Sequence, residues 1–341
     1  MRIAQIAPLF EAVPPERYGG TERVVYWLVE ELVRRGHEVT LFASGDSRTS
    51  AQLVPVVPRA LRLDQNIRDP YPLIMLQLGI AMERASEFDI IHSHVDFFTF
   101  PFLRLINTPV VTTLHGRLDL LELQPIFEFY KEARLVSISH NQRRPLPHAN
   151  WVATVYNGID VGELPLEIRH GEYLAFLGRI APEKGIEQAV ELAKRVDMPL
   201  KIAAKVDPKD REYFENEVKH LLNHPLIEYL GEIAQSEKGV FLAKAFALVF
   251  PIRWPEPFGL AVAEAMACGT PIITTRYGSM PEIVEHGKTG FLCESVEEMV
   301  LAVRQVPEID RAYCRQCVER RFTARIMADA YEEVYRRVLE R

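Results

Sequence analysis

Three stretches at the start of the chain decide its fold: RIAQIA at residues 2–7, TERVVYWLVEELVRR at 21–35 and HEVTLFA at 37–43. The first and third are short apolar runs typical of buried strands, and the second carries apolar residues at helical spacing. Thr21 is suited to cap this helix at its start, and Gly36 is suited to end it. A strand, a helix and a second strand in this order predict a parallel βαβ unit.

The same alternation of strands and helices continues along the chain. In the first half, strands are predicted at 89–93, 110–113 and 134–138 and helices at about 73–87, 97–106 and 118–132, with an irregular stretch from 44 to about 72. In the second half, strands are predicted at 173–178, 200–204, 227–230, 247–250 and 271–275, and helices at about 185–195, 208–222, 235–244, 260–267 and 295–304. A terminal helix is predicted from Thr323 to about Glu340.

The break between the two series lies near Asn157-Gly158, a turn signal after the strand-like run 151–155. The chain has 341 residues, which is more than a single hydrophobic core usually serves. We therefore expect an α/β fold of two doubly wound, Rossmann-like domains that face each other across a cleft, the first at 1–158 and the second at 159–322. In such folds, ligands bind outside the carboxyl ends of the strands.

Composition and charge exclude several classes of function. The formal net charge of −7 argues against nucleic acid as a partner, because binding to nucleic acid relies on Lys and Arg. No apolar run reaches the roughly 20 residues that span a bilayer, and we expect no signal peptide, because the first residues are not a charged segment followed by an apolar one. The four cysteines do not suggest a disulfide scaffold, and we interpret the C-x-x-C of Cys314 and Cys317 as structural rather than as a zinc or redox site. We expect a cytoplasmic protein.

A pair of glycines joins the first strand to the first helix. Gly19 and Gly20 allow the backbone to approach a ligand closely, and the start of the helix behind them offers free N–H groups to an anion. The surrounding YGGT at 18–21 is neither a dinucleotide-binding fingerprint nor a P-loop. An ordinary tight turn and an anion site therefore both stay open as interpretations.

Two cations follow the first strand of the second series, in GRIAPEKG at 178–185. Arg179 is suited to bind a diphosphate by forked hydrogen bonds, and Lys184 is suited to bind it as a point charge. The alternative interpretation is a solvated loop in which Lys184 pairs with Glu183.

The most informative stretch is PEPFGLAVAEAMACGTP at 255–271, which follows the strand predicted at 247–250. Glu256 lies in the predicted loop, and Glu264 lies in the first turns of the next helix. A carboxylate accepts two hydrogen bonds from adjacent hydroxyls, which is what a ribose or a hexose presents. The alternative, a Glu264 that is merely solvated, explains poorly why small alanines surround it.

In this combination of motifs the chain resembles the family 4 retaining glycosyltransferases, which have the two-domain GT-B fold. Glu256 and Glu264 match that family's two glutamates eight positions apart, and EPFGL at 256–260 matches the signature around the first. The resemblance covers nearly the whole chain, and it implies that the terminal helix, 323–341, packs back on the first domain. The other matching segments are 18–22, 114–116, 157–160 and 178–185.

The resemblance implies a role for each matching residue. Glu256 is implied to bind hydroxyls of the donor sugar, and Glu264 is implied to bind the ribose of the nucleotide. Arg179 and Lys184 are implied to hold the diphosphate, and His115 is implied to lie beside the transferred sugar. Further donor contacts are implied for Gly19, Gly20, Ile233, Phe258, Gly259 and Leu260. The residues expected to act in catalysis are Glu256, His115, Arg179 and Lys184.

Candidate acceptor-binding residues lie in the first half of the chain. His94 and Asp96 follow the strand at 89–93, on the face where ligands are expected. Arg143 and Arg144 are either an acceptor patch or a solvated basic face. The chain also departs from the family pattern shortly before Glu256, because it has Trp254 in a segment where many relatives carry a small residue such as Ser. This side chain is suited to narrow the sugar pocket.

The reaction that the resemblance implies is transfer of a hexose, with retention at the anomeric carbon, from a nucleotide-diphosphate sugar to an acceptor hydroxyl. The sequence contains no D-x-D triplet, so we expect no metal, and no cofactor beyond a UDP- or GDP-linked donor. A small or glycan acceptor is favoured over a membrane surface, because the amphipathic stretch 117–132 is acidic. The alternatives are a sugar-nucleotide epimerase or phosphorylase of the same fold, and a catalytically silent sugar-nucleotide-binding module.

Overall fold

A computed structural model describes residues 1–17, 19–64 and 66–340 of the chain. Tyr18, which belongs to the predicted glycine loop, lies outside the described residues. The chain divides into two compact units. The first unit is Met1–Gly158 together with Ala324–Arg341, and the second unit is Ile159–Thr323.

The first unit is built on a parallel sheet. Its described strands are β1 (Arg2–Ile6), β2 (Glu38–Ser44), β3 (Gln52–Val57), β4 (Ile90–Ser93), β5 (Val110–Leu114), β6 (Arg134–Ser137) and β7 (Trp151–Thr154). The strands lie in the order β3-β2-β1-β4-β5-β6-β7, and all neighbours pair in parallel. The order reverses between β1 and β4, and doubly wound sheets bind ligands at such a switch point.

The second unit repeats this plan. Its described strands are β8 (Tyr173–Arg179), β9 (Leu200–Lys205), β10 (Ile227–Gly231), β11 (Ala245–Phe250), β12 (Ile272–Thr275) and β13 (Gly290–Cys293). They lie in the order β10-β9-β8-β11-β12-β13, again with parallel pairing between neighbours. The switch point lies between β8 and β11, so the loops that follow these two strands are where a ligand is expected.

Helices cover the sheets. In the described residues they are α1 (Gly20–Arg34), α2 (Tyr71–Glu83), α3 (Gln124–Phe129), α4 (Ile186–Val196), α5 (Arg211–Tyr213), α6 (Gln235–Ala243), α7 (Leu260–Ala267), α8 (Met280–Ile283), α9 (Val296–Gln305), α10 (Arg311–Arg321) and α11 (Ala324–Leu339). The predicted parallel α/β fold with two Rossmann-like sheets is therefore confirmed, and the predicted strands are found within two residues of their expected bounds.

The two ends of α1 test the capping residues that the sequence predicts. The prediction of Thr21 as the cap is wrong, because the cap position is Gly19, which has no side chain to accept a hydrogen bond. The predicted stop is confirmed. Gly36 has a φ of 84°, in the left-handed region that favours glycine, and its N–H donates to the carbonyl of Val33 at 2.9 Å.

Two strands are missed by the sequence-based prediction. β3 lies within the stretch predicted to be irregular, and it contains Pro55. Proline is tolerated in strands at the edge of a sheet, which is where β3 lies. β13 is also an edge strand, and its four residues are too few to show a periodic pattern of apolar side chains.

Two predicted helices of the first unit are largely wrong, and prolines explain both. In place of the helix at 97–106 there is a 3-10 helix over Asp96–Phe102 with Pro101 inside it. Proline removes an N–H donor and clashes with the preceding turn of an α-helix. In place of the helix at 118–132 only α3 is α-helical, because Pro125 is tolerated only in the first turn.

The helix predicted at 208–222 in the second unit is broken into short pieces. The pieces are a 3-10 helix at Pro208–Asp210, α5, a π-helix at Phe214–Val218 and a 3-10 helix at Lys219–Asn223. Nothing in the sequence of this segment explains the break.

The terminal helix α11 packs on the first unit. Tyr331 and Tyr335 of this helix are among the largest fully buried side chains. Next to α1, Glu332 accepts hydrogen bonds from Arg35 at 3.0 Å and from His37 at 2.7 Å. A segment from the end of the chain therefore contributes to the core of a unit that begins at its start.

Candidate functional site

The loops that follow β8 and β11 bring the predicted donor-binding residues of the second unit to one edge of the sheet. Arg179 is the last residue of β8, and Lys184 ends the short 3-10 helix that precedes α4. Glu256 lies in the loop after β11, and Glu264 lies within α7. Parallel strands end at the same edge, so these side chains converge at the switch point.

Lys184 contacts Glu256 directly. The Lys184 ammonium pairs with Oε2 of Glu256, and the indole N–H of Trp254 donates to the same oxygen at 2.9 Å. The ammonium also lies 5.1 Å from the centroid of the Trp254 ring, within reach of a cation–π contact. The interpretation of Lys184 as a partner of Glu183 is therefore wrong. The hydrogen bond from Trp254 also orients the glutamate.

Two glycines allow the Glu256 loop to pack closely against its neighbours. Gly278 has a φ of 59°, and a Cβ there would lie 2.3 Å from the backbone nitrogen of Glu256. Gly185 has a φ of 69°, and a Cβ there would lie 2.0 Å from the carbonyl oxygen of Pro251. Any larger residue would push the backbone apart at these positions, so the glycines fix where Glu256 stands.

Carboxylates surround the guanidinium of Arg179. It donates to Glu183 at 2.5 Å and to Asp210, and it lies 3.7 Å from Asp207. Lys205 pairs with Asp207 at 2.9 Å. An anionic ligand of Arg179 would therefore compete with carboxylates that already occupy its forked donors.

Glu264 is buried, which contradicts its interpretation as a merely solvated residue. Its carboxylate is paired with Lys238 of α6 at 2.5 Å. A buried charge needs such a partner, since an unpaired carboxylate away from water is costly. The sequence gives no signal for Lys238, because a lysine on a helix resembles any solvated residue until the fold brings α6 beside α7.

The remaining predicted donor contacts lie around the same loops. Phe258 is buried against Phe322, with ring centroids 5.6 Å apart, and its carbonyl accepts a hydrogen bond from Ser279 at 2.8 Å. Gly259 occupies the cap position of α7, and Leu260 begins that helix. Ile233 is partly exposed in the loop between β10 and α6.

In the first unit, the two glycines lie at the start of α1. Gly19 is the cap position and Gly20 is the first helical residue. A Cβ on Gly19 would lie 2.8 Å from Pro15, so close packing of the loop requires glycine there. Burial raises the pKa of Glu22, in the first turn, to about 7. A carboxyl that is easily protonated opposes an anion at this helix end less than an ordinary glutamate would.

Three histidines of the first unit lie at the carboxyl ends of β4 and β5. His92 is in β4, His94 follows it, and His115 directly follows β5. His92 and His94 are buried, whereas His115 is partly exposed. Burial lowers the pKa of His92 to about 3 and of His115 to about 4, and it lowers the pKa of His94 well below its usual range. All three imidazoles are therefore neutral at neutral pH.

A continuous chain of hydrogen bonds links these histidines to the terminal helix. His94 bonds to His115 through one ring nitrogen at 2.9 Å and to Gln5 of β1 through the other at 2.8 Å. Because both of its nitrogens are engaged, the structure does not favour the predicted contact of His94 with an acceptor. We call the whole set the histidine relay: His115, His94, Gln5, Tyr335, His92, Thr113 and Tyr331.

Asp96 lies beside the exposed end of the relay. It has a φ of 47°, in a left-handed conformation that is uncommon for a residue other than glycine. Burial raises the pKa of its carboxyl to about 6, although the carboxylate accepts a hydrogen bond from the backbone N–H of His115. An unusual backbone and a raised pKa together mark Asp96 as a functional candidate.

The two arginines proposed as an acceptor patch differ in their surroundings. Arg143 is partly buried, donates to Ser137 at 2.8 Å and lies 5.4 Å from the Trp151 ring, and desolvation lowers its pKa. Arg144 is exposed. Arg143 therefore has a clear packing role, and only Arg144 fits the description of a solvated basic side chain.

The described residues contain no group of three or more histidine, cysteine or carboxylate side chains arranged to hold a metal ion. In the same part of the chain, every helix is too short or too polar to cross a membrane.

Comparisons with known proteins identify the family. Residues 166–321 match the family described as glycosyl transferases group 1, and residues 18–163 match glycosyltransferase family 4. These two matches together span most of the chain, in the order of its two units. The chain belongs to these glycosyltransferases, and it is a transferase of EC class 2.4.

Individual relatives agree with this assignment. An uncharacterized glycosyltransferase of Methanocaldococcus jannaschii is 31% identical over 244 residues, or 66% of each chain. The N-acetyl-alpha-D-glucosaminyl L-malate synthase of Bacillus anthracis is 27% identical over 366 aligned residues, or 94% of each chain.

Solved structures share the fold. A sucrose-phosphate synthase from Thermosynechococcus elongatus has a TM-score of 0.80 at 19% identity, over 100% of this chain and 99% of that one. Anabaena HepE in complex with UDP-glucose has a TM-score of 0.74 at 15% identity, over 98% and 99%. At such low identity the likeness shows the GT-B fold alone.

Proposed function

We propose that the chain transfers a hexose from a nucleotide-diphosphate sugar to an acceptor hydroxyl, with retention at the anomeric carbon and without a metal ion. The observation that carries this proposal is the convergence of two glutamates and two cations at the switch point of the second unit, where Lys184 pairs with Glu256. The HepE structure was solved with UDP-glucose, which supports a nucleotide-sugar donor.

The residues divide the donor between them. Glu264, buried and held by Lys238, binds the ribose hydroxyls, and Glu256, held by Lys184 and Trp254, binds hydroxyls of the sugar. Arg179 and Lys184 hold the diphosphate, and the carboxylates now bonded to Arg179 give way to it. Ile233 contacts the base through its backbone. Phe258, Gly259 and Leu260 supply backbone at the start of α7.

We also propose ligand contacts for residues of the first unit, as the family resemblance implies. These are a contact of His115 with the transferred sugar and of the backbone at Gly19 and Gly20 with the diphosphate. Asp96 is the stronger of the acceptor-binding candidates, because its carboxylate is held beside His115 and His94 is fully engaged inside the protein.

The reaction breaks the bond between the anomeric carbon and the diphosphate oxygen and forms a bond from that carbon to the acceptor oxygen on the same face. The proton of the acceptor hydroxyl passes to the leaving diphosphate, so no general base of the protein is needed. Arg179 and Lys184 stabilise the negative charge that develops on the leaving group. Two fixed cations can do this without a metal ion.

The first test names the nucleotide and examines metal dependence. UDP, GDP and ADP are each added to the protein, and the melting temperature is measured, because a ligand that binds only the folded state stabilises it. We expect UDP or GDP to raise the melting temperature. Transfer is then assayed with the matching sugar donor in excess EDTA, and we expect activity to persist. A large loss that magnesium or manganese restores contradicts the metal-free mechanism.

The same assay separates the alternatives. A silent binding module is stabilised by a nucleotide but transfers no sugar to any acceptor or to water. An epimerase converts the donor to an isomeric nucleotide sugar without releasing the diphosphate, and a phosphorylase requires inorganic phosphate. Release of the nucleoside diphosphate together with an α-linked product from an α-linked donor supports retaining transfer.

A further inference from the structure

We propose that the terminal helix positions His115 for its contact with the transferred sugar, because the hydroxyl of Tyr335 decides which ring nitrogen of His115 carries the proton. The inference rests on the proposed function, in which His115 touches the sugar. Tyr335 touches no substrate in this scheme and acts as a positioning residue through the histidine relay.

The direction of the relay is set at Gln5. Its amide Nε2 donates to the hydroxyl of Tyr335 at 3.1 Å, so its amide oxygen faces His94 Nε2 at 2.8 Å. An amide oxygen can only accept a hydrogen bond. His94 Nε2 therefore carries a proton and donates it to Gln5.

The tautomer of His115 follows from that of His94. A neutral imidazole has a single N–H, so the second nitrogen of His94, Nδ1, is an acceptor. His115 Nε2 lies 2.9 Å from it and must be the donor. Because His115 is itself neutral, its Nδ1 has no proton. The relay thus presents the sugar with a hydrogen-bond acceptor, which suits a hydroxyl that donates.

The other branch of the relay explains why Tyr335 is decisive. Its hydroxyl accepts from Gln5 and has one proton to donate, which goes to His92 Nδ1 at 2.7 Å. His92 then donates from Nε2 to Thr113 at 2.7 Å, and the Thr113 hydroxyl bonds to Tyr331 at 2.9 Å. While the Tyr335 hydroxyl gives its proton to His92, it can only accept from Gln5. Without this hydroxyl the Gln5 amide has no partner on that side, and the amide can turn over.

Tyr331 offers a matched control on the same helix. It is equally buried, and Tyr331→Phe also removes one hydroxyl. This hydroxyl lies at the far end of the relay, however, where Thr113 can still accept from His92 when it is missing. Tyr331→Phe should therefore leave the tautomer of His115 unchanged, and Tyr335→Phe should not.

The test uses the full chain labelled with ¹⁵N-histidine, and two-bond ¹H–¹⁵N correlation spectra report which nitrogen of His115 is protonated. We expect the Nε2–H tautomer in the wild type and in Tyr331→Phe, and a mixture of the two tautomers in Tyr335→Phe. Gln5→Met, which breaks the link from β1 instead of from the helix, should give the same mixture if Tyr335→Phe does not fold. Protonation of His115 on Nδ1 in the wild type, or an unchanged tautomer in a folded Tyr335→Phe, overturns the proposal. If Tyr335→Phe does not fold, an unchanged tautomer in Gln5→Met overturns it.

Kinetics give the second readout. Tyr335→Phe should lower kcat/KM for transfer roughly three- to tenfold, as expected for one misplaced neutral hydrogen bond, and should leave the Kd of the nucleoside diphosphate unchanged. Tyr331→Phe should stay close to the wild type in both. Equal losses in the two variants would indicate a purely structural role and overturn the proposal. Absence of transfer by the wild type would count against the proposed function, and the tautomer spectra would still decide the relay.

Discussion

At the scale of single residues, the two glutamates of the second unit differ in what holds them. Glu256 is fixed by the ammonium of Lys184 and the indole of Trp254 at the mouth of the loop, and it remains partly exposed. Glu264 is buried and held by Lys238. A partly exposed carboxylate can change its side-chain conformation to reach a sugar. A buried carboxylate is held in one orientation, which suits a group that every nucleotide ligand carries, such as the ribose.

The two glutamates should therefore respond differently to substitution. Loss of a hydrogen bond to a charged group costs about 1.5–3 kcal/mol, or roughly ten- to a hundredfold. Glu264→Gln should weaken binding of the free nucleoside diphosphate and of the intact donor by that factor, because both carry the ribose. Glu256→Gln should leave binding of the diphosphate nearly unchanged and lower kcat/KM for transfer. Calorimetry with the diphosphate and transfer kinetics measure the two effects.

Comparison of the two variants decides the division of roles. If Glu256→Gln weakens the diphosphate as much as Glu264→Gln does, the assignment of one glutamate to the sugar and the other to the ribose is wrong. Glu228→Gln is a control, since Glu228 is an exposed residue of β10 whose carboxylate pairs with Lys201.

At the scale of elements, the terminal helix α11 is the segment whose loss should matter most to the first unit. It supplies Tyr331 and Tyr335 to the core and closes the hydrogen bonds of Gln5 and His92. Removal of a large buried aromatic side chain costs about 3–5 kcal/mol, which is comparable to the whole stability of many domains, about 5–15 kcal/mol. The buried polar groups left without partners add to that cost.

A chain that ends at Thr323 should therefore lose the structure of the first unit and keep that of the second. Hydrogen exchange measures this, because amides of β1, β4 and β5 should lose protection while those of β8 and β11 retain it. A chain that ends at Leu339 keeps all of α11 and serves as the control. Retained protection in β1 of the shorter chain would contradict a contribution of α11 to the core.

Elements also show where sequence patterns are reliable. The buried central strands are recovered because continuous apolar runs between turn signals leave little choice. The helices predicted at 97–106 and 118–132 are largely absent because Pro101 and Pro125 interrupt the α-helical hydrogen bonding. The edge strand β3 is missed because its Pro55 is typical of irregular chain, although proline is also tolerated in an edge strand.

At the scale of the whole molecule, stability should depend on pH through the groups buried in the first unit. His92 has a pKa of about 3 when folded and about 6.5 when unfolded, so the unfolded chain binds more protons between these values. The contribution of His92 to the free energy of unfolding is therefore fully present above about pH 6.5, and it is lost as the pH falls from there toward about 3. His94 and His115 act in the same direction, whereas Asp96 and Glu22, with raised pKa values, act in the opposite one.

A single substitution separates His92 from the other groups. His92→Gln keeps a donor and an acceptor for Thr113 and Tyr335 but cannot be protonated. The free energy of unfolding of the wild type, relative to this variant, should fall by up to about 1.4 kcal/mol for each pH unit between pH 6 and pH 5. Urea denaturation at each pH measures it. His148→Gln, at an exposed site of the first unit, is the control, and its free energy of unfolding should change with pH as that of the wild type does. If the free energy of His92→Gln also followed the wild type, His92 would not be buried as a neutral group.

The sequence by itself determined the class of fold, the positions of most strands along the chain and the family, and it named the candidate residues of the donor site. These features follow from local properties of the sequence. The spacing of apolar residues, the turn residues and the distance from EPFGL to Glu264 can each be found within a short segment of the chain. Only the tertiary structure decided the partners of those residues. Lys184 meets Glu256 across 72 positions, Lys238 meets Glu264 across 26, and Gln5 meets Tyr335 across 330. Such pairs depend on which loops and helices the sheets bring together. The spacing of residues along the chain does not predict these contacts.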